Sequence, residues 1–438
     1  MGKYFGTDGF RGKYGKELTD LHAYKIGRFL GAYLGYKGRI IIGKDTRESG
    51  TALEKSLTCG LSSSGIDSYL LGICTTPNVS HATKNGDFDF GIMLSASHNP
   101  FYDNGIKIIN GQGEKINESL INKIEEFLDS DKDEAEFKND KIYSYKKGID
   151  DYKKYLINEC ERDFSGLRVG IDASNGSTFQ IAGEVFEALG AEIYLINNTP
   201  NGKNINQNCG STHIDSLCEF VKEKKLDFGF AFDGDGDRCI SVDKEGREVD
   251  GDKLMYILAC DLKKKGKLNG NMVVTTVMSN MGLYEALSKI GVGYTQTRVG
   301  DYYVSEEIKK GGYSLGGEQS GHIILSEYAP SGDGILTALK VTEAILDSGK
   351  GLDELSGEIV PYFQETRSAS TNDKEKTMSS AKVRDAIEKA QIELEGDGRI
   401  LVRPSGTEPT IRIMVESKSR EKGQKILSYI YNIVESEA

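Results

Sequence analysis

Cysteine and histidine are scarce in this 438-residue sequence, and neither is spaced as a structural site requires. There are seven cysteines, an odd number without any Cys-x-x-Cys pair, and only five histidines. These counts argue against a disulfide framework and against a zinc site. We therefore expect reduced thiols and a cytoplasmic protein.

Long apolar runs and an excess of positive charge are also missing. No 18 apolar residues run together and the opening MGKYFGT has no apolar signal core, which predicts a soluble, unprocessed chain. The chain has 55 Lys and Arg against 67 Asp and Glu, a net charge of −12. This balance argues against nonspecific binding to nucleic acid or an anionic membrane, so any attraction for an anionic substrate must be local.

The sequence does contain a repeated alternation of strand and helix patterns. Strand, helix, strand, helix and strand follow one another in residues 39–95, 167–232 and 272–315. This alternation predicts three similar units with parallel sheets wrapped by helices. The charged residues 129–147 are either a solvated helix and loop or a linker, with a linker favoured and a boundary near 150. The C-terminal residues predict a smaller α+β domain, with helices at 379–393 and 421–435 and strands at 399–402 and 411–415.

A hydroxyl group stands just after the apolar strand 90–94, in the segment Ser95–Pro100 (SASHNP). Open α/β sheets bind ligands at the carboxyl ends of their strands, so Ser97 is a candidate nucleophile, although a serine there could simply cap the turn. His98 is next in sequence. Adjacent side chains rarely face each other, so we expect His98 to pack or to contact phosphate rather than to form a hydrolase-type pair with Ser97.

Three carboxylates follow the strand 228–232 in the segment Asp233-Gly-Asp235-Gly-Asp237. The glycines permit a backbone path that turns all three toward one point. Carboxylates without histidine or thiolate select Mg²⁺ or Ca²⁺ over zinc, and an EF-hand is excluded because Arg238 and Lys244 occupy its Gly and Glu positions. An acidic surface turn is the alternative, but it would leave close like charges without a cation. Carboxylates committed to metal cannot carry a phosphoryl group, so Ser97 is the candidate carrier, and a phosphoserine would offer an oxygen to Mg²⁺.

Other motifs could contact a phosphorylated sugar. Arg11 in GTDGFRG and Lys107 in YDNGIK could assist acid–base steps or clamp phosphate, although isolated Arg and Lys are more often solvated. Glu318, Ser320 and His322 occupy alternate positions of GEQSGH, so an extended backbone would project them together toward sugar hydroxyls; a Gly-rich turn is the alternative. The overlapping GYSLG matches a hydrolase elbow formally but lacks its strand–elbow–helix context and a late histidine.

Residues 403–412 (RPSGTEPTIR) lie between two predicted strands. Guanidinium groups, hydroxyls and loop amides together bind phosphate well. A salt-bridged hairpin is the alternative.

Together, the segments around Ser97, Asp233, Glu318 and Arg403 resemble the α-D-phosphohexomutase family in order and approximate spacing, over essentially the whole chain. The resemblance implies an α/β protein: three topologically similar α/β domains with mixed, mainly parallel sheets and a smaller C-terminal α+β domain around a central cleft. We expect a phosphoserine domain at 1–150, a metal-binding domain at 151–252, a sugar-recognition domain at 253–365 and a phosphate-binding domain at 366–438.

The resemblance also implies a role for each motif. Ser97 would carry a covalent phosphate, give it to a hexose 6-phosphate, and take back the other phosphate after the bisphosphate reorients; a hexose bisphosphate would serve as activator. Mg²⁺ would be held by Ser97, Asp233, Asp235 and Asp237. The other catalytic residues would be Arg11 and Lys107, assisting proton transfer, with His98 and Arg238. Substrate contacts would come from Glu318, Ser320, His322, Arg403, Ser405, Gly406, Thr407 and Arg412.

Within the family, GEQSGH, the opening GTDG and the segment Pro200–Gly210 look most like members that act on glucosamine phosphate. We therefore expect interconversion of glucosamine 6-phosphate and glucosamine 1-phosphate, with a small hexosamine phosphate as partner and, by resemblance, a homodimer. Relatives acting on mannose or glucose phosphate more often carry Met at Gln319. These activities are the alternatives, together with a sugar-phosphate-binding protein without turnover. Phe10, where Ile is more usual, is a conservative departure.

Overall fold

The described residues of the chain form four β-sheets. The computed structural model describes residues 2–130, 141–405 and 409–438. These divide into two compact units: unit 1 comprises Met1–Met278 and Val292–Gly357, and unit 2 comprises Ser279–Gly291 and Glu358–Ala438.

The first sheet of unit 1 has seven strands. Its elements are β1 (Phe5–Gly6), β2 (Gly9–Lys13), α1 (Asp20–Tyr33), β3 (Arg39–Lys44), α2 (Gly50–Ser62), β4 (Asp67–Ile73), α3 (Thr76–Asn85), β5 (Phe90–Leu94), β6 (Asp103–Asn110), α4 (Glu118–Leu128), β7 (Ile142–Ser144) and α5 (Lys147–Asn158). The strand order is β1-β2-β6-β5-β3-β4-β7, with β3 parallel to β4 and β5. β6 runs antiparallel to both β5 and β2 and lies between them in the sheet.

The second sheet of unit 1 repeats this plan with five strands. Its elements are β8 (Arg168–Asp172), α6 (Ile181–Ala188), β9 (Glu192–Ile196), α7 (Asp215–Lys224), β10 (Phe228–Phe232), β11 (Cys239–Asp243) and β12 (Glu248–Val249). β8, β9 and β10 are parallel, and β11 returns antiparallel beside β10. All five residues of β10 are buried, as expected for a strand covered on both faces.

The third sheet, also in unit 1, has the order β14-β13-β15-β16. Its elements are α8 (Gly251–Lys264), β13 (Met272–Thr276), β14 (Gly293–Thr297), α10 (Asp301–Gly311), β15 (Leu315–Gly317), β16 (Ile323–Leu325), α11 (Gly334–Ser348) and α12 (Leu352–Gly357). β13 pairs in parallel with β14 and β15, and β16 is antiparallel to β15. The helix α9 (Met281–Lys289), between β13 and β14 in sequence, falls in unit 2.

Unit 2 is a smaller α+β structure. Besides α9 it contains β17 (Phe363–Ser370), α13 (Lys374–Ser379), α14 (Ala381–Leu394), β18 (Gly398–Pro404), β19 (Thr410–Ser417) and α15 (Arg420–Ser436). Its three strands are antiparallel in the order β17-β19-β18, and α14 and α15 supply apolar side chains to the same core as these strands. The predicted helix at 379–393 is α14, preceded by the short helix α13.

The predicted fold class is confirmed: three similar α/β sheets, mixed and mainly parallel, precede a smaller α+β part. Residues 131–140 of the predicted linker, 129–147, lie outside the described residues. Its remaining part forms β7 and the start of α5, and α5 packs against both α3 and α6. All seven cysteines fall within the described residues and are free thiols, and no described helix is long and apolar enough to span a membrane.

Candidate active site

Ser97 lies in the loop after β5 and its side chain is fully buried. Its hydroxyl donates to Asp233 Oδ2 at 2.5 Å, and its backbone N–H donates to Ser95 Oγ at 2.9 Å. Its φ of 53° lies in the left-handed region, which is uncommon for a residue with a Cβ. Such strain persists only where neighbouring groups fix the backbone, and it concentrates at functional sites.

The three carboxylates among the predicted metal ligands converge. Asp233, Asp235 and Asp237 lie between β10 and β11, and one oxygen from each falls within 4.8 Å of the others. All three are buried. The turn depends on Gly234, because a Cβ there would stand only 2.6 Å from the carbonyl oxygen of Ser97. The loop that carries the three carboxylates can therefore approach the loop that carries Ser97 only if residue 234 has no side chain.

This acidic cluster fits a hard divalent cation. Asp235 Oδ1 and Asp237 Oδ1 are buried and have no hydrogen-bond partner among the described residues. Burial, followed by the charges of Asp237 and Asp235, raises the pKa of Asp233 well above its usual value. Carboxylate oxygens with unused lone pairs, and without thiolate or imidazole in the set, are ligands that Mg²⁺ prefers.

Lys107, on β6, is the central cation of the site. Its Nζ donates to Asp235 Oδ2 at 2.7 Å and lies 3.0 Å from both Asp237 Oδ2 and Asp8 Oδ2. The general expectation that such a lysine is solvated is wrong here, since Lys107 is only 2% exposed. Burial would lower its pKa, but the three carboxylates raise it well above the usual value, so Lys107 stays protonated. Arg11, on β2, pairs with Asp8 in the same cluster.

Three charged residues that the sequence reasoning missed complete this cluster: Asp8, Lys115 and Asp301. Lys115 Nζ donates to Asp8 Oδ1 at 2.5 Å and also to Asp301. Burial would raise the pKa of Asp8, but Lys107, Lys115 and Arg11 hold it well below its usual range. Asp8 stood within the quoted GTDG motif, whereas the patterns around Lys115 and Asp301 gave no signal.

His322 lies between Asp237 and Asp301 in this charged cluster. Its Nδ1 lies 3.6 Å from Asp237 Oδ1, and its Nε2 lies 3.6 Å from Asp301 Oδ2 and accepts from the N–H of Gly332 at 3.1 Å. Burial would lower the pKa of His322, but Asp237 and Asp301 raise it. The structure therefore places His322 beside the carboxylate cluster.

The expected common projection of Glu318, Ser320 and His322 is wrong, and the alternative, a Gly-rich turn, is observed. The backbone turns at these residues, with the N–H of Gly321 donating to the carbonyl of Glu318 at 3.0 Å and a φ of 88° at Gly321. Glu318 accepts from the N–H of Gly300 at 3.0 Å, whereas Ser320 is exposed and His322 is buried. An alternating pattern projects side chains together only from an extended strand, and β15 ends before it reaches them.

His98 and Arg238 also lie at the site. The expectation that His98 would not face Ser97 is wrong, because its Nδ1 lies 3.3 Å from Ser97 Oγ. Burial, together with the charges of Arg238 and Arg11, lowers the pKa of His98 to about 3, so its imidazole is neutral near pH 7. Arg238 donates its backbone N–H to Asp233 Oδ1 at 3.1 Å.

The predicted phosphate-binding residues lie in unit 2. Arg403 on β18 stands directly opposite Arg412 on β19, and burial and the charge of Arg412 lower the pKa of Arg403. Lys374 Nζ donates to the carbonyl of the buried Ser405 at 2.8 Å. Facing guanidinium groups repel each other unless an anion lies between them, so this hairpin suits phosphate. The predicted contacts Gly406 and Thr407 lie outside the described residues.

These arrangements suit the transfer of a phosphoryl group. The buried cluster in unit 1 combines a hydroxyl, carboxylates that can hold a divalent cation, and the cations Arg11, Lys107 and Arg238. Phosphoryl transfer needs little covalent chemistry beyond a nucleophile, and positive charge that compensates the phosphoryl oxygens supplies most of the rest.

The sequence matches the domains of one family along nearly its whole length. Residues 2–135, 149–246 and 250–363 match the alpha/beta/alpha domains I, II and III of phosphoglucomutase/phosphomannomutase, and residues 365–433 match its C-terminal domain. The chain therefore belongs to the phosphoglucomutase/phosphomannomutase family.

Within this family, its curated relatives carry a more particular name. The chain is 50% identical to the phosphoglucosamine mutase of Lachnospira eligens, covering 100% of this chain and 99% of the relative. It is 44% identical to that of Staphylococcus aureus, with 99% and 98% covered.

Solved structures share the same fold. A Burkholderia thailandensis phosphoglucomutase/phosphomannomutase family protein superposes with a TM-score of 0.81 at 22% identity, covering 98% of this chain and 97% of the other. The Aspergillus fumigatus N-acetylphosphoglucosamine mutase, in complex with GlcNAc-6P and magnesium, gives 0.73 at 15% identity, covering 99% and 96%.

Proposed function

We propose that this chain is a phosphohexomutase that interconverts glucosamine 6-phosphate and glucosamine 1-phosphate through a phosphoserine at position 97. The observation that carries the proposal is the buried contact between Ser97 Oγ and Asp233 Oδ2, inside a cluster of carboxylates and cations. The choice of glucosamine rests on full-length relatives at 44–50% identity that are named phosphoglucosamine mutase.

In the proposed reaction, the bond from Ser97 Oγ to phosphorus breaks as a sugar hydroxyl oxygen bonds to the same phosphorus. The sugar hydroxyl loses one proton and the serine oxygen regains one. The hexosamine bisphosphate then turns, and its other phosphate returns to Ser97. An added hexose bisphosphate would act as activator by phosphorylating any enzyme that has lost its phosphate.

The surrounding residues have distinct proposed roles. Lys107 and Arg11 supply positive charge to the phosphoryl oxygens, and Lys107 stays protonated because the neighbouring carboxylates raise its pKa. Arg238 fixes Asp233 through its backbone N–H. His98 is neutral, so it contributes a hydrogen bond to Ser97 rather than charge.

Asp233, Asp235 and Asp237 would hold Mg²⁺, together with an oxygen of the phosphorylated Ser97. A bound Mg²⁺ would offset negative charge as the phosphoryl group transfers. Two observations support this choice: the unused oxygens of Asp235 and Asp237, and the magnesium in the fungal N-acetylphosphoglucosamine mutase structure.

We assign the parts of the substrate to separate segments. In the 253–365 segment, Glu318 and His322 would contact the sugar, with Ser320 available from the surface. In the 366–438 segment, Arg403, Ser405, Gly406, Thr407 and Arg412 would bind the phosphate that is not transferred. The 1–150 segment would carry the phosphoserine, and the 151–252 segment the metal. We further propose that the enzyme is a cytoplasmic homodimer, a compartment in which its free thiols would stay reduced.

The substrate is tested by a side-by-side mutase assay with Mg²⁺ and catalytic hexose bisphosphate, using glucosamine, glucose and mannose phosphates. We expect kcat/KM for glucosamine phosphate to exceed the others by more than about tenfold, roughly 1.4 kcal/mol in transition-state binding. Equal or better rates with glucose or mannose phosphate would refute the assigned sugar. Tight binding of all three without turnover would instead identify a sugar-phosphate-binding protein.

A further inference from the structure

We propose that Asn206 and Arg47 are positioning residues that hold the backbone of Ser97 in its left-handed conformation, so that its side chain stays aimed at the carboxylate cluster. This inference rests on the proposed phosphoserine function. It also gives a role to part of the segment Pro200–Gly210, to which the site described above assigns none.

Arg47, between β3 and α2, binds the loop after β5 that carries Ser97, called here the serine loop. Both belong to the first α/β module, the part of the chain that forms the first sheet. Its side chain is only 2% exposed, and its Nη2 donates to the carbonyl oxygens of Ser97 and Asn99, both at 2.8 Å. Its Nη1 donates to the carbonyls of Pro100 and Asp103, the latter at 3.0 Å. Asp45 orients this guanidinium by accepting from its Nε at 2.8 Å. One buried cation thus binds three carbonyls of the serine loop and one at the start of β6.

Asn206, between β9 and α7, binds the same loop from the second α/β module, the part of the chain that forms the second sheet. Its Nδ2 donates to the carbonyl of Ser97 at 2.8 Å and to that of Asn99 at 3.0 Å. The side chain is buried, and the backbone N–H of Asn206 donates to the carbonyl of Ser174 at 2.9 Å. The carbonyl of Ser97 therefore receives hydrogen bonds from two modules.

Two further hydrogen bonds join the first and second α/β modules. Thr46 Oγ1 donates to the carbonyl of Asn175 at 2.6 Å, and the N–H of Glu48 donates to the carbonyl of Gly202 at 3.1 Å. Gly234 also approaches here, because a Cβ on it would lie 2.6 Å from the Ser97 carbonyl and 2.9 Å from Asn206 Nδ2. The loops that carry Ser97, Asn206 and the three carboxylates therefore all meet at the carbonyl oxygen of Ser97.

These contacts restrain the orientation of the nucleophile. The Ser97 N–H is held by Ser95 Oγ, and the Ser97 carbonyl is held by Arg47 and Asn206. With both flanking peptide groups fixed, the strained φ of 53° cannot relax toward the extended region. Relaxation would swing Oγ away from Asp233, and small misplacements of a reacting group cost large factors in rate.

Asn206 offers a clean test because it also has a left-handed backbone, with a φ of 57°. Asn206→Gly keeps that conformation available and removes the amide. Asn206→Asp keeps the size but places a carboxylate oxygen where the carbonyls need a donor. Asn208→Gly is the matched control, since Asn208 has a φ of 53° in the same segment and is exposed.

For each full-length protein we would measure the thermal midpoint, the fraction of Ser97 phosphorylated, and the single-turnover rate of phosphoryl transfer from Ser97 to glucosamine 6-phosphate. We expect both Asn206 variants to transfer at least about tenfold more slowly per phosphorylated site, with KM within about twofold of wild type. Asn208→Gly should transfer at the wild-type rate. Such a split identifies positioning, since a purely structural defect lowers the active fraction and leaves the rate per phosphorylated site unchanged.

Transfer by both Asn206 variants within about twofold of wild type would overturn the inference. A loss that follows only the folded or phosphorylated fraction would overturn it as well. Failure of the proposed function looks different, because wild-type protein itself would then carry no phosphate on Ser97 or would pass none to the sugar phosphate.

Discussion

Replacing Lys107 by Met separates the electrostatic role of this lysine from the role of the metal. Lys107 Nζ lies within 3.0 Å of Asp8, Asp235 and Asp237, and the side chain is buried. Removing one partner from a buried ion pair costs about 3–5 kcal/mol, so without Mg²⁺ the variant should be destabilised by about that amount. The same change frees Asp235 Oδ2 and Asp237 Oδ2 as ligands.

Mg²⁺ should therefore bind the Lys107→Met variant more tightly. A unit positive charge about 4 Å from a divalent cation opposes its binding by about 2 kcal/mol even at the dielectric constant of water. Removing that charge corresponds to about a 30-fold lower Kd. Titration calorimetry with MgCl₂ measures the affinity, and the Mg²⁺ dependence of the thermal midpoint gives a second readout.

Lys154→Met is the control, because Lys154 is exposed on α5. It should bind Mg²⁺ as wild type does. An unchanged or weaker affinity in the Lys107 variant would refute the placement of the cation beside Lys107. The variant should also lose phosphoryl transfer, since the charge it lacks offsets that of the phosphoryl oxygens.

Three further predictions concern other parts of the molecule. Arg403→Ala should raise KM for glucosamine 6-phosphate at least about tenfold, because a charged hydrogen bond contributes about 1.5–3 kcal/mol; an unchanged KM in steady-state kinetics would contradict the phosphate site. Burial raises the pKa of Asp333 to about 6, so its contribution to stability is full below about pH 4 and is lost as pH rises through 6. Asp333→Asn should therefore gain about 2 kcal/mol relative to wild type between about pH 4.5 and 7.5, and a pH-independent difference between thermal midpoints would argue against this. Maleimide should label the exposed Cys59 before the buried Cys74, as peptide mapping would test; the reverse order would contradict the described burial.

The features that the sequence predicted are local ones. Apolar runs such as Phe228–Phe232 predicted the parallel strands, because buried strands need apolar residues on both faces. The spacing of Asp233, Asp235 and Asp237 predicted a carboxylate cluster because the three lie within five residues, and glycines alternate with them.

The features that the sequence did not predict depend on contacts between distant residues. Lys115 and Asp301 are 186 positions apart, and Asn206 and Ser97 are 109 apart. Lys107 lies between Ile106 and Ile108 on β6, a local pattern that is typical of a solvated strand face. Asp235 and Asp237 of the second module instead cover Lys107. No local sequence pattern around Lys107 reveals these distant carboxylates. The GEQSGH side chains separate because Gly321 turns the backbone where an extended strand was expected.

The most direct test of the central claim is to follow phosphate through Ser97. Wild-type protein and Ser97→Ala would be incubated with Mg²⁺ and ³²P-labelled hexose 1,6-bisphosphate, then chased with unlabelled glucosamine 6-phosphate. We predict label on the peptide that contains Ser97, its transfer to glucosamine phosphate during the chase, and neither labelling nor mutase activity in the variant. Mutase turnover by Ser97→Ala at the wild-type rate, or label that stays on wild-type protein through the chase, would contradict the account.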